Sequence, residues 1–504
     1  METLAESLLL PTVATLTAGF SALLYYYRED PILGGAAIND TKLHRIGGAY
    51  PFLGDTVKAA LVKGHIHDFV VDCFEKSHNE PVVIKFPLVD GPFVFFNDPK
   101  MVEYFLKTKF SVYDKGPFMK VRFQDTLGHG IFNADGARWK SQRKLAANIF
   151  NVKNFKEYVN DTFAAEMDVF STVLEEHAAS GLEFDLSDLF FRFTFDSFVK
   201  IAFGIDVNSM TSKEKVPFME AFDNAQKTVA DRVITPLWSY VERLTGVART
   251  QADDVKTIRD FGISVIQEKR ASLGDEPSTG NDLLSLLMRT TDDEGNSPTD
   301  EMLVDYVLNF IIAGRDTTAQ ALSWTFFLLH KNPAALAALH EEIATVLGGS
   351  APTYDQIKND MPYANAVFHE ALRLYPSVPL ELKQANADDT LPDGIVIPKD
   401  TIVCWSNYAM GRTEAIWGPD AKEFKPERWV KMDKQPSPFD YPVFNAGPRV
   451  CLGKNMAELE GVFVLVQVAR KFNIQVTKEE DVTYSLSLTL PMKNGLAVKC
   501  TERL

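Results

Sequence analysis

The sequence predicts a mainly α-helical fold with small β-sheets, in one large domain behind a single apolar N-terminal helix. Three observations carry this. Residues 99–374 have an almost unbroken helical texture. Strand-like runs are short and confined to residues 82–96 and the region after Pro376. No charged residue occurs between Glu6 and Arg28.

Composition sets the outer limits. Of 504 residues, 46% are hydrophobic and 24% charged, the balance of a globular chain rather than a disordered one. With 52 basic and 68 acidic residues the net charge is −16. That excludes non-specific nucleic-acid binding and leaves any basic partner surface local. The four cysteines, Cys73, Cys404, Cys451 and Cys500, form no C-x-x-C pair. A zinc ribbon and a secreted disulfide framework are both excluded.

The uncharged stretch from Ser7 to Tyr27 would span roughly 31 Å as a helix, about the hydrocarbon thickness of a bilayer. It holds Leu8, Leu9, Leu10, Val13, Leu16, Phe20, Leu23 and Leu24. It ends in Tyr25, Tyr26 and Tyr27, which suit a membrane interface. Glu2 and Glu6 stand where a cleaved signal peptide carries basic residues. The expectation is a membrane anchor, with Arg28, Lys42 and Arg45 placing the rest of the chain in the cytosol.

A linker with Gly34, Gly35, Gly47 and Gly48 follows, and Pro51-Phe-Leu-Gly54 reads as the turn that opens the globular part. Residues 82–86 and 93–96 read as two strands joined at Asp90-Gly91, a hairpin signal. Helices then dominate to about residue 374. Short strands and turns follow Pro376, with one late helix over about 453–470 and final strands.

The sharpest local feature is Phe444-Asn-Ala-Gly447-Pro-Arg449-Val-Cys451-Leu-Gly453. A turn-rich loop delivers a lone cysteine to the start of a helix. Gly447 and Gly453 permit tight backbone geometry and close approach of a flat ligand. Amides and dipole at the helix start favour a thiolate on Cys451. Phe444 can shield the sulfur, and Arg449 can pair with an anion.

A second stretch, Ala313-Gly314-Arg315-Asp316-Thr317-Thr318, sits inside an apolar helix over about 301–330. Phe310, Gly314, Thr317 and Ala321 share one face, where Gly314 is read as leaving a gap for a ligand. Thr317 can bond back to the carbonyl of Ala313 and loosen the helix beside a reacting centre. Asp316 is a titratable group in an apolar run, a placement that calls for a partner or a purpose. Two further patterns are Glu370-Ala-Leu-Arg373 with Arg428 downstream, and Trp139-Lys-Ser-Gln-Arg143. Spacing puts Glu370 and Arg373 on one helical face, and Trp139 and Arg143 on another.

In this order along the chain, W-x-x-x-R, A-G-x-D-T-T, E-x-x-R and F-x-x-G-x-R-x-C-x-G resemble the motifs of the cytochromes P450, the haem-thiolate monooxygenases. The loop motif matches at all its fixed positions. The resemblance implies the cytochrome P450 fold, with residues 1–30 as N-terminal membrane anchor and residues 31–504 as haem monooxygenase domain. It makes Cys451 the axial ligand of haem iron, whose thiolate favours cleavage of dioxygen. Arg449, Trp139, Arg143 and Lys383 would hold haem propionates. Asp316 and Thr317 would deliver protons to the oxygen being reduced. Glu370, Arg373 and Arg428 would form a structural triad. Ala313 stands where some animal members carry a glutamate that bonds to haem, so a non-covalent haem b is expected.

No flavin or nicotinamide module follows Gly453 in the chain. Electrons would therefore come from a separate NADPH-dependent flavoprotein reductase, docked on a basic patch drawn from Lys140, Arg143, Lys144, Lys425, Arg428 and Lys454. The membrane would be that of the endoplasmic reticulum. The stretches I-A-G-R-D-T-T-A, L-R-L-Y-P-S-V-P, D-D-T-L-P-D-G, N-Y-A-M-G-R and Leu127-Gly-His-Gly-Ile-Phe-Asn-Ala-Asp-Gly136 are similar to the fatty-acid ω-hydroxylases of plants and fungi. A long-chain fatty acid oxidised near its methyl end is thus the expected substrate. Phe310, Ile311, Ala313, Val378, Leu380, Leu488 and Leu490 are candidate channel walls, and Lys115, Lys120 and Arg122 candidate carboxylate partners. Rival readings are a sterol, terpene or xenobiotic monooxygenase, a peroxide-rearranging enzyme, and a tethered haem protein that binds or senses without turnover. Asp316 and Thr317 argue against the last two.

Overall fold

The apolar run near residues 301–330 becomes the central helix of the molecule in a computed structural model of the chain. The structure describes residues 2–26, 42–45, 49–89, 91–150, 153–273, 282–290 and 297–503. The central helix runs as Asp300–Ile311, a widened π-helical turn Ile312–Asp316, and Thr317–Lys331. It starts where the Thr299 hydroxyl accepts from the amide of Met302. Nearly every side chain between Leu303 and Leu329 is buried, as a helix apolar on all sides requires. The Val247–Leu273 helix packs on its first half and the Leu186–Phe203 helix on its second.

The strands that position the site form a six-stranded sheet in the order His44–Arg45, Val82–Ile84, Phe93–Phe96, Ile402–Trp405, Glu381–Ala385, Tyr113–Asp114. Val82–Ile84 and Phe93–Phe96 pair antiparallel, Val83 opposite Val94. Asp90, read as part of the hairpin turn, lies outside the described residues. The amide of Gly54 bonds back to Tyr50, closing the turn read at Pro51. A second sheet joins Phe472–Val476, Ala497–Glu502 and Phe184–Asp185. The late helix spans Lys454–Lys471.

At the N-terminus a helix covers Glu2–Tyr26, with Val13, Leu16, Phe20, Leu23 and Tyr25 exposed. Among the described residues no helix is long and apolar enough to cross a membrane. The transmembrane span expected over 7–27 is therefore not found among them. The linker glycines Gly34, Gly35, Gly47 and Gly48 lie outside the described residues.

Candidate functional site

One cavity, of about 260 Å³, lies where the central helix, the Gly136–Phe150 helix and the cysteine loop converge. That is close to the roughly 300 Å³ at which small-molecule and cofactor sites begin. Phe310, Ala313, Gly314, Thr317 and Ala321 line it from the central helix; Phe444, Cys451 and Gly453 line it from the loop. The face read from helical spacing thus points at the cysteine.

The loop is shaped by its own backbone. The amide of Cys451 donates to the carbonyl of Phe444 at 2.8 Å, closing the turn that presents the thiol. Cys451 is the one cysteine with appreciable accessible surface; Cys73 and Cys404 are buried in hydrophobic core, and Cys500 is buried. Enclosure pushes the Cys451 thiol pKa up, against the amides of Gly453 and Lys454 and the Arg143 guanidinium, which favour the thiolate. A Cβ at Gly453 would meet nothing nearer than the Cys451 sulfur at 4.0 Å, leaving the helix start open to a flat ligand. Gly447 serves a different end. Its φ is +60° and a Cβ there would meet the Leu106 carbonyl at 2.3 Å, so it lets the loop pack on backbone rather than on a ligand.

Cations gather at one edge. Lys115, Arg143, Arg449 and Trp139 line the cavity, and Lys383 lies buried just behind. Arg449 stacks over Trp139 at 4.5 Å, donates to Asp135 at 2.6 Å and to the carbonyl of Ala134 at 3.1 Å. Among the described residues its Nε has no partner, nor has the buried Nζ of Lys383. Burial, with Lys115 and Arg449 alongside, holds the Lys383 amine well below the usual lysine range. Buried cationic donors without partners call for an anion. Two carboxylates at the edge of a flat group, facing a thiol on its floor, meet that demand. The residues present fit a haem. Lys115, read as a substrate partner, belongs to this cationic edge. Lys120 pairs with Asp135 at 2.8 Å, and Arg122 donates to the carbonyls of Arg232 and Phe118. None of the three stands as a lone cation at a channel mouth.

The widened turn places a hydroxyl and a carboxyl differently. Thr317 Oγ1 donates to the carbonyl of Ala313 at 2.7 Å, and Ser377 Oγ donates to the carbonyl of Thr317 at 2.7 Å. Asp316 sits behind, fully buried. It accepts from Gln226 at 2.6 Å and from Arg315 at 2.9 Å; Arg315 also reaches Asp223, 2.8 Å away and half-exposed. Burial raises Asp316 to about 6, against the lowering effect of Arg315. The arrangement links Asp316 through Arg315 to the half-exposed Asp223, while the Thr317 hydroxyl is engaged by the Ala313 carbonyl at the cavity wall. Gly314 is not a ligand gap: a Cβ there would meet the Phe198 ring at 1.9 Å. The missing side chain makes room for Phe198, which itself lines the cavity.

Glu370 and Arg373 form no solvated pair. Both are fully buried, joined by bonds of 2.7 and 2.8 Å. Arg428 lies 3.4 Å from Glu370, and Trp429 donates to it at 2.8 Å. Arg373 also donates to the carbonyls of Gly411, Ala421 and Glu423, pinning the chain that leads to the cysteine loop.

Of the other expected walls, Phe310, Ala313 and Val378 line the cavity. Ile311 and Leu490 are wholly buried in core, and Leu490 is tied by its backbone to Gln320 and Trp324. Leu488 packs against core. Leu380 lines a second, smaller apolar pocket beside the six-stranded sheet. Core and channel wall use the same apolar residues, which is why spacing did not separate them. In the expected basic patch, Arg143 lines the cavity, Arg428 is buried and Lys425 pairs with Asp420 at 2.7 Å.

Sequence reasoning missed Glu460, one of the cavity's lining residues. It lies on the Lys454–Lys471 helix and accepts from Ser197 at 2.9 Å; burial raises it to about 8. The signal was its apolar flanks, Leu459 and Gly461-Val462.

A mainly helical chain with a thiol on the floor of an apolar cavity and a cationic edge beside it defines the class of haem-thiolate enzymes. Comparison with known proteins carries this further. The Cytochrome P450 family model matches residues 46–497. The chain is 36% identical over 486 residues to "Cytochrome P450 704C1" of Pinus taeda, covering 91% of this chain and 93% of that protein. It is 35% identical over 479 residues to "Cytochrome P450 86B1" of Arabidopsis thaliana, covering 90% and 85%. It is 35% identical over 442 residues to "Cytochrome P450 monooxygenase cyp1" of Mycosarcoma maydis, covering 82% and 69%. The chain belongs to the cytochrome P450 family and is a monooxygenase. Membership implies a haem iron with a cysteine thiolate ligand, and dioxygen and NADPH-derived electrons as co-substrates.

Proposed function

We propose that this monooxygenase hydroxylates a long-chain fatty acid at or near its methyl end, with Cys451 as the thiolate ligand of a non-covalent haem b. The group supplies activation and cleavage of dioxygen when bound. Lys115, Arg143 and Arg449, with Trp139 and Lys383, hold its carboxylates, and Phe444 covers the sulfur. Thr317 holds a proton donor position at the cavity wall, and Asp316, its neighbour in the same turn, is the titratable group that supplies protons in this reading. Ala313 carries no carboxylate that would bond to the group.

The observation that carries the substrate reading is the separation of chemistry within the cavity. The cationic edge is taken by the carboxylates of the haem, and what is left for a substrate, at Phe310, Ala313, Val378, Phe132 and Phe198, is hydrocarbon. Terminal C–H bonds are stronger than internal ones, so attack at a chain end requires walls that admit only that end. The test is reconstitution with a reductase and lauric, palmitic and oleic acids, with the hydroxyl located by mass spectrometry. Fatty-acid products oxidised near the methyl end support the reading. Turnover of sterols, terpenes or xenobiotics without fatty-acid oxidation overturns it.

The electron donor in this reading is a separate NADPH-dependent flavoprotein reductase, meeting the exposed Lys140, Lys144 and Lys454 beside the cysteine loop. Residues 1–30 tether the domain formed by residues 31–504 to the endoplasmic reticulum, with the domain on the cytosolic side. The exposed apolar side chains of the Glu2–Tyr26 helix support this, as do Leu61, Leu237, Tyr240 and Leu244 on the surface of the domain.

A further inference from the structure

The stretch Leu127–Gly136 contains two glycines whose reason lies in the central helix. A Cβ at Gly128 would meet Asp305 Oδ1 at 2.1 Å, and a Cβ at Gly130 would meet Asn309 Nδ2 at 2.0 Å. Asp305 and Asn309 are one turn apart on the same face, and both are buried. They take hold of the loop by its backbone. Asp305 Oδ2 accepts from the amide of His129 at 2.8 Å. Asn309 Oδ1 accepts from the amide of Phe132 at 3.1 Å, and its Nδ2 donates to the carbonyl of Leu127 at 2.8 Å. Arg259, from the Val247–Leu273 helix, fixes the other Asp305 oxygen at 3.0 Å. At its far end the same loop ties Asp135 to Arg449. Between the two ties, Ile131 and Phe132 line the cavity beside Phe310.

We propose that Asp305 and Asn309 are positioning residues: they clamp the 128–135 loop to the central helix and so set which carbon of an alkyl substrate reaches the reacting centre. The proposal rests on the alkyl-substrate reading above. A loop held only at its ends would let Ile131 and Phe132 drift. The clamp holds the wall to the helix that carries Phe310 and Thr317, so wall and oxygen site keep one register. A misplacement of about 1 Å in such a wall is enough to change which atom is presented.

The test uses the full-length holoenzyme and a graded series of n-alkyl imidazoles, read by the shift of haem absorption on binding. Asn309→Leu removes the bonds to Leu127 and Phe132, half of the clamp; Gly130→Ala pushes the loop off Asn309. In both variants the affinity for the longer alkyl imidazoles, relative to imidazole itself, should change by about tenfold or more, the scale set by one misplaced methylene in an apolar pocket. Hydroxylated products should spread over several carbons. Wild-type affinity ratios and an unchanged product pattern in both variants would overturn the clamp. In the wild-type holoenzyme the amides of His129 and Phe132 should resist hydrogen exchange; rapid exchange there overturns the proposal whether or not the variants fold. Failure of the fatty-acid reading shows separately, as a wild-type enzyme that oxidises no fatty acid while the imidazole series still responds to the clamp.

Discussion

The hydroxyl of Thr317 donates to the carbonyl of Ala313 at 2.7 Å, inside a turn of the central helix that is π-helical rather than α-helical. The turn keeps Thr317 at the cavity wall and directs its neighbour Asp316 away, toward Gln226 and Arg315. Thr317→Ala should therefore keep haem and substrate binding yet divert electrons from product to peroxide and water. The ratio of NADPH consumed to product formed measures this; an unchanged ratio contradicts the role of Thr317.

Asp316 is raised to about 6, burial outweighing Arg315, so near neutral pH it is poised to exchange a proton. Asp316→Asn keeps the size and removes the exchange. Turnover should fall by about 10²-fold or more, within the 10²–10⁴ typical of general acid work, while substrate spectral binding stays. Wild-type turnover in this variant would remove Asp316 from the proton path.

Much of this was open to inspection in the sequence, for physical reasons that differ by residue. The central helix shows because an apolar run of its length has few alternatives. Cys451 shows because a turn, a cation and a helix start are all local in the chain. The tight turn expected at Gly447 is present, but the space read at Gly314 and Gly447 as room for a ligand is filled by Phe198 and the Leu106 carbonyl, which come from distant segments. Ile311 and Leu490 were misread because apolar side chains look alike whether they face a cavity or a core. Glu460 was passed over because a glutamate on a late helix ordinarily meets water.

Glu460 is protonated at neutral pH, its pKa raised by burial to about 8 from the usual 4.5. The folded state then binds a proton that the unfolded state has released. Stability from this group is fully present below about 4.5 and is lost as pH rises through 8. One proton accounts for a slope approaching about 1.4 kcal/mol per pH unit. Melting curves between pH 5.5 and 8.5 should fall more steeply for the wild type than for Glu460→Gln. Parallel curves contradict the assignment.

Arg373 is wholly buried, with Glu370 and three backbone carbonyls as partners. Removing one member of such a pair leaves an uncompensated charge and costs about 3–5 kcal/mol. Arg373→Ala should lose haem incorporation, seen as the haem-to-protein ratio of the purified chain. A variant that loads haem and melts like wild type contradicts a structural role for the pair.

A chain beginning near Ile32 should keep its haem spectrum and lose most of its affinity for lipid vesicles. Loss of the spectrum on truncation would argue against a separable anchor.

The identity of the iron ligand underlies every other assignment. Cys451→Ala, expressed with haem supplied and reduced under carbon monoxide, tests it most directly. The red-shifted absorption band that a thiolate ligand produces should vanish, while serine at Cys73, Cys404 or Cys500 leaves it intact. Persistence of that band in Cys451→Ala would contradict the account at its centre.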